Sequence, residues 1–185
     1  MKKFLPLIIF IVVFVTVLAG QVGYKFLNKN NETLEQFAEY VLYEEHFLNS
    51  THKTLDGKEL KSTQIKSPIV IYNFWASWCM PCLEEMPSMV ALKKKFSDDE
   101  ISILAVNTDE ENQKENIAKT LRNLKITNEF IIIPDKNNEL INQYNVTAIP
   151  VTIVFHRGKV IHYSQGPMDF NSEEFIEKIK SYLKS

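Results

Sequence analysis

Apolar and polar residues fall in blocks along this chain, and block length separates strands from helices. Ile69-Val70-Ile71-Tyr72-Asn73-Phe74-Trp75 and Ile101–Asn107 are short, nearly continuous apolar runs, the pattern of strands buried on both faces. Each leads into a longer stretch with helical spacing, Cys82–Phe96 after the first and Glu111–Leu124 after the second, where Ile117, Leu121 and Leu124 share a face. Phe130–Ile133 reads as a further short strand stopped by Pro134, and Glu139–Tyr144 as a short helix. Val151–Phe155 and Val160–Tyr163 flank Arg157-Gly158 and predict an antiparallel hairpin. Phe170–Leu183 predicts a last amphipathic helix, with Phe175, Ile176 and Ile179 inward and Asn171 or Ser172 as its cap. Strands alternating with helices, then a terminal hairpin, predict an α/β sandwich with a central mixed sheet flanked by helices.

The first part of the chain is patterned differently. Lys2 and Lys3 precede an apolar run from Phe4 to Gly20, broken mildly by Pro6 and Thr16 and at the short end for a spanning helix. Three readings compete: a transmembrane anchor, a cleaved signal sequence and a buried core helix. The run is longer than a usual signal h-region, and Val17-Leu18-Ala19-Gly20 makes an imperfect cleavage site, so the anchor is favoured. Lysines before the run orient it with the N-terminus inside. The expected location is therefore the cell membrane, single-pass, with the domain facing the periplasm or cell exterior, where disulfides persist. Gln21–Asn31 is polar and reads as a linker. Leu34, Phe37, Ala38, Val41 and Leu42 then share one face of a helix over 33–45, with Thr33 and Gln36 placed as a capping box and the helix packed on the domain's own surface. Asp56-Gly57 marks a two-residue hairpin turn between extended segments Phe47–Leu55 and Lys58–Leu60. The chain thus divides into an anchor or signal sequence over 1–20, a linker and short helix over 21–46, and a domain over 47–185.

Composition narrows the chemistry. A net charge of −2 with dispersed lysines gives no support to nucleic-acid binding. Cys79 and Cys82 are the chain's two cysteines. As a structural staple they would close a loop too small to restrain much chain entropy. Zinc sites need more cysteines or suitably spaced histidines, and His46, His52, His156 and His162 are scattered, so no metal site is expected. Two thiols with one remote histidine leave copper open, as part of a non-enzymatic copper-binding or client-binding assembly factor.

Disulfide exchange is the better use, and it needs no cofactor. A thiol at a helix N-terminus meets unpaired N–H groups and the positive end of the macrodipole, which stabilise its thiolate. Cys79 is expected at the exposed mouth of the strand-to-helix turn as nucleophile, with Cys82 one turn in as resolving thiol. Pro81 costs the helix little in its first turn and stiffens it. Glu85, three residues after Cys82, shares its helix face; partly buried there, it would have a raised pKa and could move protons to or from that thiol. The competing reading is a solvated helix glutamate, as its neighbour Glu84 is. Ile149-Pro150 precedes a strand; if the bond is cis, the flanking backbone can pair with an extended substrate chain.

From about Phe47 to Leu183 the sequence resembles the thioredoxin superfamily. Phe74-Trp75-Ala76-Ser77-Trp78-Cys79-Met80-Pro81-Cys82 is similar to its active-site segment, Pro87 stands where it has a helix-kinking proline, and Ile149-Pro150-Val151-Thr152 is similar to its cis-proline segment. Thioredoxins carry a buried aspartate where this chain has Asn73. That asparagine, Glu85-Met86-Pro87 after the motif, the Asp56-Gly57 hairpin, the Val106-Asn107-Thr108-Asp109 strand end and the N-terminal apolar run all resemble the TlpA/ResA/CcmG-like branch. The resemblance implies a thioredoxin-like fold and an extracytoplasmic, membrane-tethered thiol–disulfide oxidoreductase. It also implies that Glu85 is a functional acid, and that Trp78, Pro81, Ile149 and Pro150 shape a client groove. The implied partners are proteins with disulfides, among them apocytochrome c in cytochrome c maturation, and a membrane electron carrier as reductant. Met80-Pro81 lacks the histidine typical of strong oxidants, which favours a reductase over an oxidant or isomerase.

Overall fold

The computed structural model describes residues 14, 16–18, 20–21 and 34–185. The expected anchor and linker, with Thr33 of the capping box, lie almost wholly outside the described residues. Among the described residues no helix is long and apolar enough to cross a membrane. The chain divides into two compact units between Val41 and Leu42, and the second unit carries the sheet.

Five strands form that sheet in the order β5-β4-β3-β6-β7. They are β3 (Ile69–Trp75), β4 (Ile101–Asn107), β5 (Ile131–Pro134), β6 (Val151–His156) and β7 (Lys159–Gln165). β3 pairs parallel with β4 and antiparallel with β6, so the sheet is mixed. The central strand β3 is buried at every position, as its unbroken apolar run requires. Helices α2 (Met80–Lys93), α3 (Gln113–Asn123), α4 (Glu139–Gln143) and α5 (Glu173–Leu183) connect or follow the strands. Ile69, Ile71 and Trp75 join Met86, Met89 and Leu92 of α2 and Phe175, Ile176 and Ile179 of α5 in one apolar cluster. α5 starts three residues later than its apolar pattern, with Ser172 as cap accepting from the Phe175 N–H.

Side chains alternate across β3, so Tyr72 belongs to the opposite face, where aromatic rings dominate. Residues 34–49 form helix α1. Phe47 stacks on Phe155 at 4.4 Å between centroids, and Tyr43 packs against Tyr144 at 5.4 Å. The face expected to pack, Leu34, Phe37, Val41 and Leu42, is exposed instead. Tyr43 and Phe47, four residues apart on another side of the helix, are the residues that bury. Each full burial contributes about 1.5–3 kcal/mol, and large rings find partners on a sheet face already rich in aromatics.

The segment expected to be extended from Phe47 is helical to residue 49, and strand β1 covers only Thr51–Lys53. Its partner β2 is Glu59–Lys61. The connection is longer than the two-residue turn expected. Thr54 N–H donates to the Lys58 carbonyl at 2.9 Å, the Thr54 hydroxyl accepts from the Lys58 N–H at 3.1 Å, and Gly57 takes a φ of 85°. Threonine's hydroxyl closes the turn one step outside Asp56-Gly57. His52 of β1 is buried, where its Nε2 meets the Ser50 hydroxyl at 2.9 Å and the hydroxyl of Tyr72. β5 starts one residue later than expected, at Ile131, and takes in Pro134 as its last residue, which an edge strand tolerates.

Candidate active site

β3 delivers the chain to the site at Trp75, and the next residues are held by β4. Thr108 N–H donates to the Trp75 carbonyl at 2.9 Å, and Ser77 N–H donates to Asp109 Oδ1 at 2.9 Å. Asp109 is itself buried and fixed, its N–H on Asn107 Oδ1 at 3.1 Å and its Oδ2 accepting from Asn107 Nδ2 at 3.3 Å. The loop therefore has a defined exit direction into α2.

Helix α2 begins at Met80, two residues earlier than expected, because Cys79 is its N-cap. Cys79 Sγ accepts the Cys82 N–H at 3.3 Å. An N–H aimed at this sulfur in the first helical turn is the arrangement that favours a thiolate after reduction. Here the two cysteines form a disulfide with an S–S distance of 2.03 Å. Cys82 is fully enclosed, and Cys79 is only 5% exposed rather than open to solvent. The bond ties Cys79 Sγ to the helix interior, and neighbouring side chains take the surface. Trp78 is 70% exposed and Met80 62%, with Pro81 exposed beside them.

The structure brings Ile149, 70 residues beyond Cys79 in the chain, and Pro150 to this point. Ile149 O lies 3.9 Å from Cys79 Sγ, and the Ile149–Pro150 bond is cis. A disulfide sulfur carries no proton, so this is a contact here; after reduction it becomes a place for a weak S–H···O bond. The Pro150 carbonyl accepts the Gly166 N–H at 2.8 Å, which ties this turn to the loop after β7.

Glu85 lies one turn along α2 from Cys82 and is only 4% exposed, whereas Glu84 is exposed. The solvated-glutamate reading therefore applies to Glu84 alone. Glu85 Oε1 accepts from Asn73 Nδ2 at 2.7 Å, and Oε2 accepts from the Met168 N–H at 3.1 Å. Burial pushes its carboxyl above the usual glutamate value, and the two donors partly oppose that rise.

Four supporting groups escaped the sequence reading: Asn73 as a donor, Thr152 beside it, the Asp109 carboxylate and the Met168 N–H. Asn73 had a visible signal, a polar residue inside an apolar strand. Met168 had none, because its contribution is backbone. The histidines stay apart, and among the described residues no group of three or more His, Cys, Asp or Glu could hold a metal ion.

Both the sequence and the fold are similar to those of known proteins. The model of the AhpC/TSA family matches residues 44–164. The chain is 31% identical over 179 residues to the thiol-disulfide oxidoreductase ResA of Bacillus thuringiensis subsp. konkukian, covering 96% of this chain and 95% of that protein. It is 36% identical over 111 residues to the thioredoxin-like protein YneN of Bacillus subtilis, covering 59% and 62%. Among solved structures, StoA from Bacillus subtilis superposes with a TM-score of 0.57 at 25% identity, over 72% of this chain and 94% of that one. A thiol:disulfide interchange protein of the thioredoxin family from Chlorobium tepidum gives 0.59 at 26% identity, over 72% and 92%.

Proposed function

Since the chain belongs to the AhpC/TSA family, has a thioredoxin-like fold and is a thiol–disulfide oxidoreductase of the ResA type, we propose that it runs in the reducing direction on client proteins outside the cytoplasm. The observation that carries the direction is Glu85, a buried carboxyl one turn along α2 from Cys82, whose negative charge opposes a thiolate on that face; the Cys79 cap, with the Cys82 N–H directed at Sγ and the Ile149 carbonyl beside it, is where the exchange takes place.

In the proposed cycle the Cys79 thiolate attacks one sulfur of a client disulfide. That S–S bond breaks, a Cys79–client mixed disulfide forms, and the departing client thiolate takes a proton. Cys82 then loses its proton to the Glu85 carboxylate and attacks Cys79 Sγ. The mixed disulfide breaks, the Cys79–Cys82 bond forms, and the second client thiol leaves protonated. Two electrons and two protons pass to the client, and a membrane electron carrier restores the dithiol. Trp78, Pro81 and Ile149 form the surface on which an extended client segment lies, its backbone within reach of the Ile149 carbonyl, and Pro150, buried behind them, shapes that groove through the turn it makes. Apocytochrome c with oxidised haem-binding cysteines is the client suggested by the TlpA/ResA/CcmG resemblance. The Phe4–Gly20 run with Lys2 and Lys3 before it supports a single-pass tether with the domain on the outer side.

The test is the reduction potential of the Cys79–Cys82 pair, equilibrated against glutathione or dithiothreitol buffers. A value near or below about −270 mV, that of thioredoxin, is expected. A value near about −120 mV would make the protein an oxidant and overturn the reading.

A further inference from the structure

Two donors meet the Glu85 carboxyl, and only one of them is a side chain. We propose that Asn73 is a positioning residue for Glu85, a donor built into the central strand to fix the carboxyl one turn from Cys82 and to stabilise its anionic form. The proposal rests on the reading of Glu85 as the group that exchanges a proton with Cys82.

Asn73 is fully enclosed in the middle of β3, between Tyr72 and Phe74. Its Nδ2 carries two hydrogens, and both are used. One goes to Glu85 Oε1 at 2.7 Å, the other to the Thr152 hydroxyl at 3.1 Å. Thr152 lies directly across from Asn73 in the β3–β6 register, so the amide plane is set by the sheet itself. The other end of the amide is different: Oδ1 is buried with no hydrogen-bond partner among the described residues. An unpaired buried acceptor costs stability. Leucine, of similar shape, would fill the same space without that cost. What asparagine adds over leucine is its pair of N–H donors, one on the Thr152 hydroxyl that orients the amide and one on Glu85. Aspartate would lose that donor and set a second carboxyl against the first, so that the two would share one proton.

The surroundings leave Glu85 few other influences. β3 presents Asn73, β6 presents Thr152 and the loop after β7 presents the Met168 N–H, none of which titrates in the working range. On its own helix the Cys82 thiol titrates once reduced, while Glu84, and Asp169 beyond Met168, are solvent-exposed. Burial and the two donors therefore set the carboxyl's behaviour between them, and Asn73 is the part that substitution can remove.

The experiment compares wild type with Asn73→Leu, Thr152→Val and Glu85→Gln. It records the pH profile of disulfide reduction and a carbon-13 NMR titration of the glutamate carboxyls. Asn73→Leu is expected to move the Glu85 midpoint up by about one pH unit or more, the scale of losing one hydrogen bond to a charged group. Thr152→Val, which keeps Asn73 but frees its amide, is expected to move it the same way by less. In Glu85→Gln the corresponding limb of the rate profile disappears. If that limb persists in Glu85→Gln, the proton-handling reading of Glu85 fails, and Asn73 is judged on the NMR midpoint alone. If the limb disappears in Glu85→Gln but Asn73→Leu leaves the midpoint in place, the positioning role is overturned. Should Asn73→Leu fail to fold, an unmoved midpoint in Thr152→Val overturns it instead.

Discussion

Cys79 and Cys82 share a bond but not an environment, and substitution separates their roles. Cys79→Ser removes the sulfur that meets the client, so disulfide reduction is expected to fall to the uncatalysed rate; full activity in that variant would refute the mechanism. Cys82→Ser keeps the attack and loses the resolving step, so a Cys79–client adduct is expected to accumulate on non-reducing gels. Glu85→Gln keeps the shape and removes the proton acceptor, with an expected loss of roughly 100-fold in turnover near neutral pH. Much of this was legible at the residue scale. Two cysteines three positions apart, a proline before a strand and a glutamate one turn on are all visible as residue types. The burial of Cys79 was not, since it depends on which neighbours cover the sulfur. Nor was the Met168 N–H, because any residue at that position supplies one.

Elements were legible where the apolar pattern had one solution and misread where it had two. β3 and β4 are bounded as their runs are. Helix α1 carries an apolar set at Leu34, Phe37, Val41 and Leu42 and a second one at Tyr43 and Phe47, and spacing alone does not say which docks. Hairpin β1–β2 has its own anchor in His52, which gives it a pH dependence. Burial pushes the imidazole down to about 4, below its value of 6.5 in an unfolded chain. The unfolded state therefore binds more protons between those values, and stability falls as pH drops from about 6.5 to about 4. The loss is on the order of 3 kcal/mol from this group. Thermal melts at pH 7 and pH 4 are expected to differ less for His52→Gln than for wild type; parallel curves would assign the acid sensitivity elsewhere. The β4 end has a role of the same kind. Asp109→Ala removes the acceptor of the Ser77 N–H, and that amide is expected to exchange with deuterium roughly 10-fold faster or more. An unchanged rate would mean the loop is held by the Thr108–Trp75 bond alone.

At the scale of the whole molecule, the potential of the pair and the stability of the fold are one quantity seen twice. Reduced and oxidised chains, folded and unfolded, close a thermodynamic cycle, so any difference between the folded potential and that of the unfolded Cys-x-x-Cys appears as a stability difference between the two redox forms. For this two-electron couple, 30 mV corresponds to about 1.4 kcal/mol. A strong oxidant owes its potential to a stabilised reduced form, in which the thiolate is held better than the disulfide. A dedicated reductant lies on the other side of the cycle. Here the oxidised form encloses Cys82 fully and places Cys79 Sγ against the Ile149 carbonyl, while Glu85, one turn along α2 from Cys82, is the buried acid on that helix. A negative carboxyl on that face opposes thiolate formation and so works against stabilising the reduced state. The oxidised protein is therefore expected to melt at a higher temperature than the reduced one, and Glu85→Gln is expected to narrow the gap by stabilising the reduced form at neutral pH. Paired calorimetric scans with and without dithiothreitol measure both. A reduced form that melts higher would put the pair on the oxidant's side of the cycle, in agreement with a potential near about −120 mV and against the reducing direction proposed for this chain.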